Sequence, residues 1–335
     1  MVNSDEDCSL ARRILRDLRI IFEREPNLLE FDIIPIEDKI CNKSPVILQD
    51  HRLALESWSI KHLYQYTYHQ FIESRNNHIR RDKASLHEWT RCLLLLNPDL
   101  TTAWNCRKQL VLDGFITIAD ELKFSELILK RPNKAPENFA HRQWLLRQLM
   151  QSQSITDDMV NNELNLCYEA ADRYQSHYHA WNHRRWVIQE LGHGINICFY
   201  ELETNKNWIQ RHVSDFSGYS YRQFIFLRLN HLLKKSVTDR NNSQVSYYSM
   251  LLDEMEFIAD LLNVHPSRES FFIYRRFLLS QLNPLCSDRK EDLHRDEMQF
   301  IQQGSHDQFL LTRHVRWCSK VLKWDMSEYT ERSEN

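Results

Sequence analysis

The sequence predicts an all-α protein, a right-handed superhelical α-solenoid of helical hairpins. Three observations predict it. An aromatic–x–x–Arg motif recurs five times in 335 residues. Glycine, the residue of tight hairpin turns, phosphate loops and left-handed caps, occurs 5 times, against a usual share of about 7%. The apolar runs stop at breakers such as Asn97-Pro98, Arg131-Pro132, Asp215 and His265-Pro266. Together these argue against a dinucleotide-binding fold, a P-loop protein or a β-sandwich. They favour helices joined by short polar turns.

In chain order, Met1 to Asp7 is acidic and polar, unlike a secretory signal. Leu10 to Glu25 reads as an Arg-rich amphipathic helix, Phe31 to Ile36 as a short extended arm ending at Pro35, and Leu48 to Asn76 as one or two further helices. The repeats follow. Their anchor aromatics are Trp104, Phe139, Trp181, Tyr219 and Phe272, and three residues after each stands an arginine: Arg107, Arg142, Arg184, Arg222 and Arg275. Successive anchors lie 35, 42, 38 and 53 residues apart. Positions i and i+3 share a helix face, so the aromatic is expected in the core seam. The guanidinium is expected to reach outward, to the orphan carbonyls that end the preceding helix. A second helical run precedes each anchor, for example Leu86 to Leu96, whose Leu93-to-Leu96 stretch reads as core. Such hairpins cannot bury their apolar faces alone and must stack. Asn230 to Ser246 reads as a polar insertion that lengthens the last spacing. Arg313 to Trp324 reads as a closing helix, a degenerate sixth repeat, before a polar tail from Ser327. The expected organisation is an N-terminal helical and irregular region over 1–84, the solenoid over 85–325 and the tail over 326–335.

Composition narrows the function. Hydrophobic residues make up 42% and the net charge is −3, from 43 basic and 46 acidic side chains well mixed. That leaves no basic footprint for nucleic acid. No stretch of 18 apolar residues is present, so no membrane span is expected. The 8 cysteines stand singly, without a CxxC pair, and read as free thiols of a reducing cytoplasm. No HExxH, no clustered Cys/His ligand set and no paired Asp motif is found, so no metal site and no cofactor is expected in this chain.

The stretch Tyr178-His179-Ala180-Trp181-Asn182-His183-Arg184-Arg185-Trp186-Val187-Ile188-Gln189-Glu190 resembles the repeats of protein prenyltransferase alpha subunits, whose pattern is roughly Pro-x-Asn-Tyr-x-Ala-Trp-x-Tyr-Arg-Arg. The resemblance covers about residues 85 to 325, and its motifs are more specific than those of generic TPR arrays. The diverged copies point toward the branch that serves type III geranylgeranyltransferase. The resemblance implies a TPR-like alpha subunit wrapped around an α–α barrel beta subunit of the Rab geranylgeranyltransferase type, which holds the zinc, the lipid tunnel and most catalytic groups. It further implies geranylgeranyl diphosphate as donor and, as acceptors, an already farnesylated SNARE and a C-terminal CaaX F-box protein. In such a complex Lys134 matches the lysine directed at the diphosphate, with a solvated turn lysine as its alternative. Glu137 stands where a glutamine reads the substrate carboxylate, which argues against direct carboxylate reading here. Tyr178 and His179 match positions on the rim that faces the partner. The five motif arginines are read as mostly structural, with partner contacts as the alternative, and the anchor aromatics as core. The leading expectation is a prenyltransferase subunit, active only as part of a heterodimer. The alternative is a non-catalytic scaffold that binds a beta subunit or a prenylated client.

Overall fold

The protein was analysed as a computed structural model, which describes residues 5–36, 44–76, 82–152, 154–192, 194–235, 240–285, 289–303 and 306–327. The chain opens with helix α1 (Asp5–Arg24). Its buried stripe of Ala11, Ile14, Leu15 and Leu18 keeps the i, i+3, i+4, i+7 spacing of an amphipathic helix.

Between this helix and the hairpins the structure departs from the sequence reading. A three-stranded sheet forms from β1 (Glu30–Ile34), β2 (Val46–Gln49) and β3 (Arg52–Glu56), in the order β1-β3-β2. Strand β1 runs parallel to β3, with Phe31 opposite Leu53, and β2 runs antiparallel to β3, with Leu48 opposite Leu53. The expected arm is therefore a paired strand, and Leu48 to Glu56 is not helical. Two local features decide this. Leu53 and Leu55 are buried with a period of two. Asp50 and His51 both adopt positive φ, 47° and 61°, the backbone of a two-residue hairpin turn whose twist matches its strands. From Ser57 the helical expectation holds, as α2 (Ser57–Asn76).

Six hairpins follow: α3 (Lys83–Leu96) with α4 (Thr101–Leu112), α5 (Ile118–Leu129) with α6 (Pro136–Ser152), α7 (Asp157–Arg173) with α8 (Tyr178–Glu190), α9 (Asn196–Arg211) with α10 (Phe216–Lys235), α11 (Arg240–Val264) with α12 (Glu269–Leu282), and α13 (Lys290–Gln303) with α14 (Gln308–Trp317). Side-chain oxygens of Asp82, Thr117, Thr156 and Asp307 cap α3, α5, α7 and α14, satisfying backbone donors that a helix start leaves orphaned. The chain divides into two compact units, Met1–Val187 and Ile188–Asn335, at a point inside α8. Within the first, α4 packs on α3 and α6, and α5 on α6 and α7; within the second, α10 packs on α9, α11 and α12, and α12 on α11 and α14. Packing on the hairpin mate and on the counterpart two helices along is that of an all-α helical-repeat array. One hydrophobic cluster joins Ile14, Phe31, Leu55 and Leu63 to Leu94, Trp104 and Phe124, so the core is continuous across position 84.

The expected insertion at Asn230 to Ser246 is helix wherever it is described, and the long last spacing comes from the 20 and 25 residues of α10 and α11. Residues 236–239 lie outside the described residues. So do Met1 to Ser4, Cys41, Cys286 and the tail from 328; the six described cysteines are free. The closing helix starts earlier than expected, at Gln308. It runs on as a π-helical turn over Cys318–Leu322 that ends at Lys323, φ 61°. No described helix is long and apolar enough to cross a membrane.

Gly218 marks where α10 approaches α9. A Cβ there would lie 2.7 Å from Cζ3 of the buried Trp208. Gly218→Ala is expected to lose about 1–2 kcal/mol net, the clash outweighing the gain in helix propensity. A thermal midpoint equal to the parent's would show that the Trp208 ring can step aside.

Candidate functional site

The motif arginines do not reach outward. All five are buried, between 1% and 4% exposed, and each donates Nη1 to the backbone carbonyl 20 residues before it: His87, Leu122, Leu164, Leu202 and Met255. These carbonyls lie within helices rather than at their ends. The carbonyls near the ends of α3 and α5 are taken by other arginines, Arg131 to Leu95 O and Arg173 to Lys130 O. The reason is burial. A guanidinium enclosed with the anchor aromatics needs a counter-ion beside it, and the next hairpin supplies one. Arg107 pairs with Glu121, Arg142 with Glu163 at 2.7 Å, Arg222 with Glu254, and Arg275 with Glu297 at 2.7 Å.

Three of these glutamates, and Glu201, meet a second group from the following hairpin helix. Nε2 of His141 sits 2.8 Å from Glu121 Oε1, His183 3.1 Å from Glu163 Oε2 and His314 2.8 Å from Glu297 Oε1, and Tyr221 donates its hydroxyl to Glu201. The residue after His141, His183, Tyr221 and Tyr274 is the arginine of its own motif, so pairs of rungs interlock. The imidazoles also pack, tilted, against the preceding anchor, His141 on Trp104 with ring centres 4.5 Å apart and His314 on Phe272 at 5.7 Å. The anchors Trp104, Phe139, Trp181, Tyr219 and Phe272 are all buried. These groups are enclosed in the interior of the array.

Electrostatics fixes the protonation of the ladder. Burial alone would raise Glu121, Glu163 and Glu297, but the adjoining arginine charges and the hydrogen bonds to carboxylate bring each to about 2. Burial lowers His141, His183 and His314, and each keeps an unpartnered Nδ1, as a neutral Nε2–H imidazole would. Both groups make acid destabilising. The unfolded chain protonates these histidines below about pH 6.5 while the fold resists. Stability therefore falls with pH by up to about 1.4 kcal/mol per unit for each histidine. The carboxylate contribution persists until about pH 4.5 and is lost as pH falls toward about 2. A thermal midpoint that drops steadily from pH 7.5 to 5.5 is the expected result; a flat profile would mean the histidines titrate normally in the fold.

The solvent-facing candidates lie on one edge of the first unit, in the α5–α6 turn and in the first turns of α6 and α8. Lys134 is exposed in the turn before α6, its Nζ 5.4 Å from the centre of the Tyr174 ring. The next residue, Ala135, holds a positive φ of 34° and leads into Pro136 at the first helical position, where a missing N–H does no harm. Glu137 is half-buried in the first turn of α6. In the following turn His177 is buried. Its Nε2 lies 3.0 Å from Asn133 O and its Nδ1 accepts from Ala180 N, so one neutral imidazole braces the Lys134 turn and caps α8. Tyr178 is 54% exposed and its ring lies 4.0 Å from that of half-buried His179. Burial lowers His179; the charge of Asp99 opposes that and the charge of Lys134 adds to it. Lys134, Tyr178 and His179 thus belong to one edge, and the motif arginines to the interior.

The edge offers an ammonium, neutral imidazoles and two tyrosines. Such groups are able to stabilise negative charge, and Tyr178 is open to solvent. Among the described residues no group of three or more His, Cys, Asp and Glu is placed to hold a metal ion. Sequence reasoning missed the glutamates and the bracing His177. The glutamates carry a signal: Glu121, Glu163, Glu201 and Glu254 each stand 20 residues before His141, His183, Tyr221 and Tyr274.

An array of hairpins locked by interior Arg–Glu–His contacts, with its motif arginines and anchor aromatics buried, defines a helical-repeat protein of the prenyltransferase alpha-subunit kind. The protein prenyltransferase alpha subunit repeat matches residues 160–191 and 198–229, which are α7–α8 and α9–α10. The chain is 33% identical to human protein prenyltransferase alpha subunit repeat-containing protein 1, across 82% of this chain and 78% of that protein. It is 32% identical to form 1-B of the same protein from Xenopus laevis, across 84% and 75%. It is also 28% identical to the human geranylgeranyl transferase type-2 subunit alpha, across 64% of this chain and 37% of that subunit. The chain belongs to the family of protein prenyltransferase alpha subunit repeat-containing proteins.

Proposed function

We propose that this chain is the alpha-type subunit of a type III-like protein geranylgeranyltransferase. It pairs with a beta subunit of the Rab geranylgeranyltransferase type in the cytoplasm, and the complex transfers geranylgeranyl groups to protein C-terminal cysteines, including that of an already farnesylated SNARE. The observation that carries this reading is the confinement of the exposed candidates to one edge. The motif arginines and anchor aromatics are used up inside the array, while Lys134 and Tyr178 stay open to a partner. A zinc held by the beta subunit would activate the thiol of the substrate cysteine as a thiolate. This chain's share is Lys134, whose ammonium meets the charge that develops on the departing diphosphate as a point charge. Tyr178 and His179 form the rim beside it. Similarity to a geranylgeranyl transferase type-2 alpha subunit supports the choice of partner and lipid. Glu137 would repel a terminal carboxylate, which assigns substrate choice to a surface other than this turn.

The test is co-expression with that beta subunit, size exclusion, and transfer of labelled geranylgeranyl diphosphate to a farnesylated SNARE. A stoichiometric complex that transfers lipid supports the reading. A complex that modifies none of the candidate proteins favours a scaffold, a role compatible with the altered Ala135-Pro136-Glu137 turn. Failure to form a complex overturns both.

A further inference from the structure

The residues on either side of Lys134 are both held in place. Asn133, before it, donates Nδ2 to Ile128 O at 3.0 Å, while its own carbonyl lies 3.0 Å from Nε2 of His177. Ala135, after it, is fully buried at φ 34°. Its carbonyl accepts from the amides of Asn138 and Phe139 at 3.1 and 3.3 Å, in the first turn of α6. The Asn133 carbonyl shares a peptide plane with the Lys134 amide, so fixing one fixes the other. A non-glycine residue at positive φ persists only where its surroundings hold it. The exposed Lys134 side chain, with Tyr174 beside it, thus projects from a main chain pinned at both ends.

The bond from His177 is set apart by its enclosure. Arg173 also reaches this turn, donating Nη1 to Lys130 O, but its side chain is 31% exposed and water competes there. His177 has no exposed surface. Ala180 N lies 3.3 Å from its Nδ1. A backbone N–H can only donate, so Nδ1 is the acceptor and Nε2 carries the proton directed at Asn133 O. A doubly protonated ring would set a second N–H against that of Ala180. Around the ring stand Lys134 from the α5–α6 turn, Tyr174 and His179 from its own turn, and Phe139 from α6. Burial lowers its pKa against the bond to Asn133 O, and the charges of His179 and Lys134 lower it further.

We propose that His177 is a positioning residue, whose Nε2–H holds the Asn133–Lys134 peptide and so presents the Lys134 ammonium at a fixed place on the exposed edge. It serves the charge role proposed above for Lys134, on which reading its own role rests. A group aimed at developing charge acts through its placement, and a shift of about 1 Å can lower a rate by about a hundredfold. His177 is enclosed behind the turn and acts only through Lys134.

Two substitutions separate the two bonds of the ring. Asparagine puts its side-chain oxygen near the place of Nδ1 and caps α8, but it falls short of Asn133 O. Glutamine reaches Asn133 O with its amide and gives up the cap. A merely structural role predicts similar effects from the two. In the free chain, His177→Asn is expected to speed amide exchange of Asn138 and Phe139 about tenfold or more, with His177→Gln close to the parent. In the complex with the beta subunit, His177→Asn is expected to lower kcat about three- to tenfold at unchanged KM. His177→Gln should recover most of that loss, and His177→Asn added to Lys134→Ala should lower kcat no further. Parent-like exchange in His177→Asn overturns the inference, as does an equal loss of kcat in the two variants or an additive loss in the double variant. Faster exchange with Lys134→Ala at full turnover overturns instead the diphosphate reading, and the positioning role with it. Should His177→Asn not fold, the ring nitrogen shifts of His177 in the unsubstituted protein decide the matter. A neutral Nε2–H ring at neutral pH is expected, and an Nδ1–H or charged ring overturns the inference.

Discussion

Glu163→Ala is expected to destabilise the protein by about 3–5 kcal/mol, as for any buried ion pair stripped of one member. Glu163 is 3% exposed and accepts from Nε and Nη2 of Arg142 and from Nε2 of His183. Alanine leaves an enclosed guanidinium without a counter-ion and removes the acceptor that fixes the neutral His183 tautomer. The deficit is mostly desolvation left uncompensated, so the double variant Arg142→Met/Glu163→Leu should recover most of it. Urea unfolding of the single and double variants reads this directly. Glu73→Ala, at an exposed His69–Glu73 contact, should change little beside it. A single-variant loss below about 1 kcal/mol would mean that water reaches the pair.

The second large effect is on turnover. In the complex proposed above, Lys134→Ala is expected to lower kcat about ten- to a hundredfold, the scale of removing one group aimed at developing negative charge. Lys134 is exposed in the chain itself, where water screens it; against a beta subunit's opening the same ammonium acts in a drier setting and its charge counts for more. Complex formation and KM for the protein substrate should stay unchanged, because the side chain is exposed and lies beside Tyr174 of its own chain. Lys134→Arg should restore part of the rate, less well because a planar fork replaces a point charge. Unchanged turnover in a correctly assembled Lys134→Ala complex would remove the lysine from the mechanism and leave the question of assembly untouched.

Much of this was legible beforehand because helical repeats write their geometry into local spacing. Trp104, Phe139, Trp181, Tyr219 and Phe272 recur with their arginines because a helix presents i and i+3 on one face, and the breakers fall where each hairpin turns. The sheet was missed for a local reason. Val46 to Glu56 is short and apolar enough to pass for helix, and its one distinctive signal is the Asp50-His51 pair, neither residue a glycine. Of the candidate site, the identities on the exposed edge were readable by likeness to a family pattern. Their shared position was not, because it depends on how consecutive turns align.

The direction of the arginines shows the limit most clearly. A sequence read one helix at a time gives a guanidinium every choice of partner, and solvent is the default for a charge. The glutamates that claim Arg107, Arg142 and Arg275 lie 14 to 22 residues further along, on the first helix of the next hairpin. A long-range ion pair inside a core is stable only when packing excludes water and supplies every remaining hydrogen bond. The sequence by itself determined the helical repeat, its period and its punctuation, because those rest on local backbone and side-chain chemistry. Only the tertiary structure decided which charges are buried and which face a partner, because burial is set by neighbours that the chain brings together from a distance.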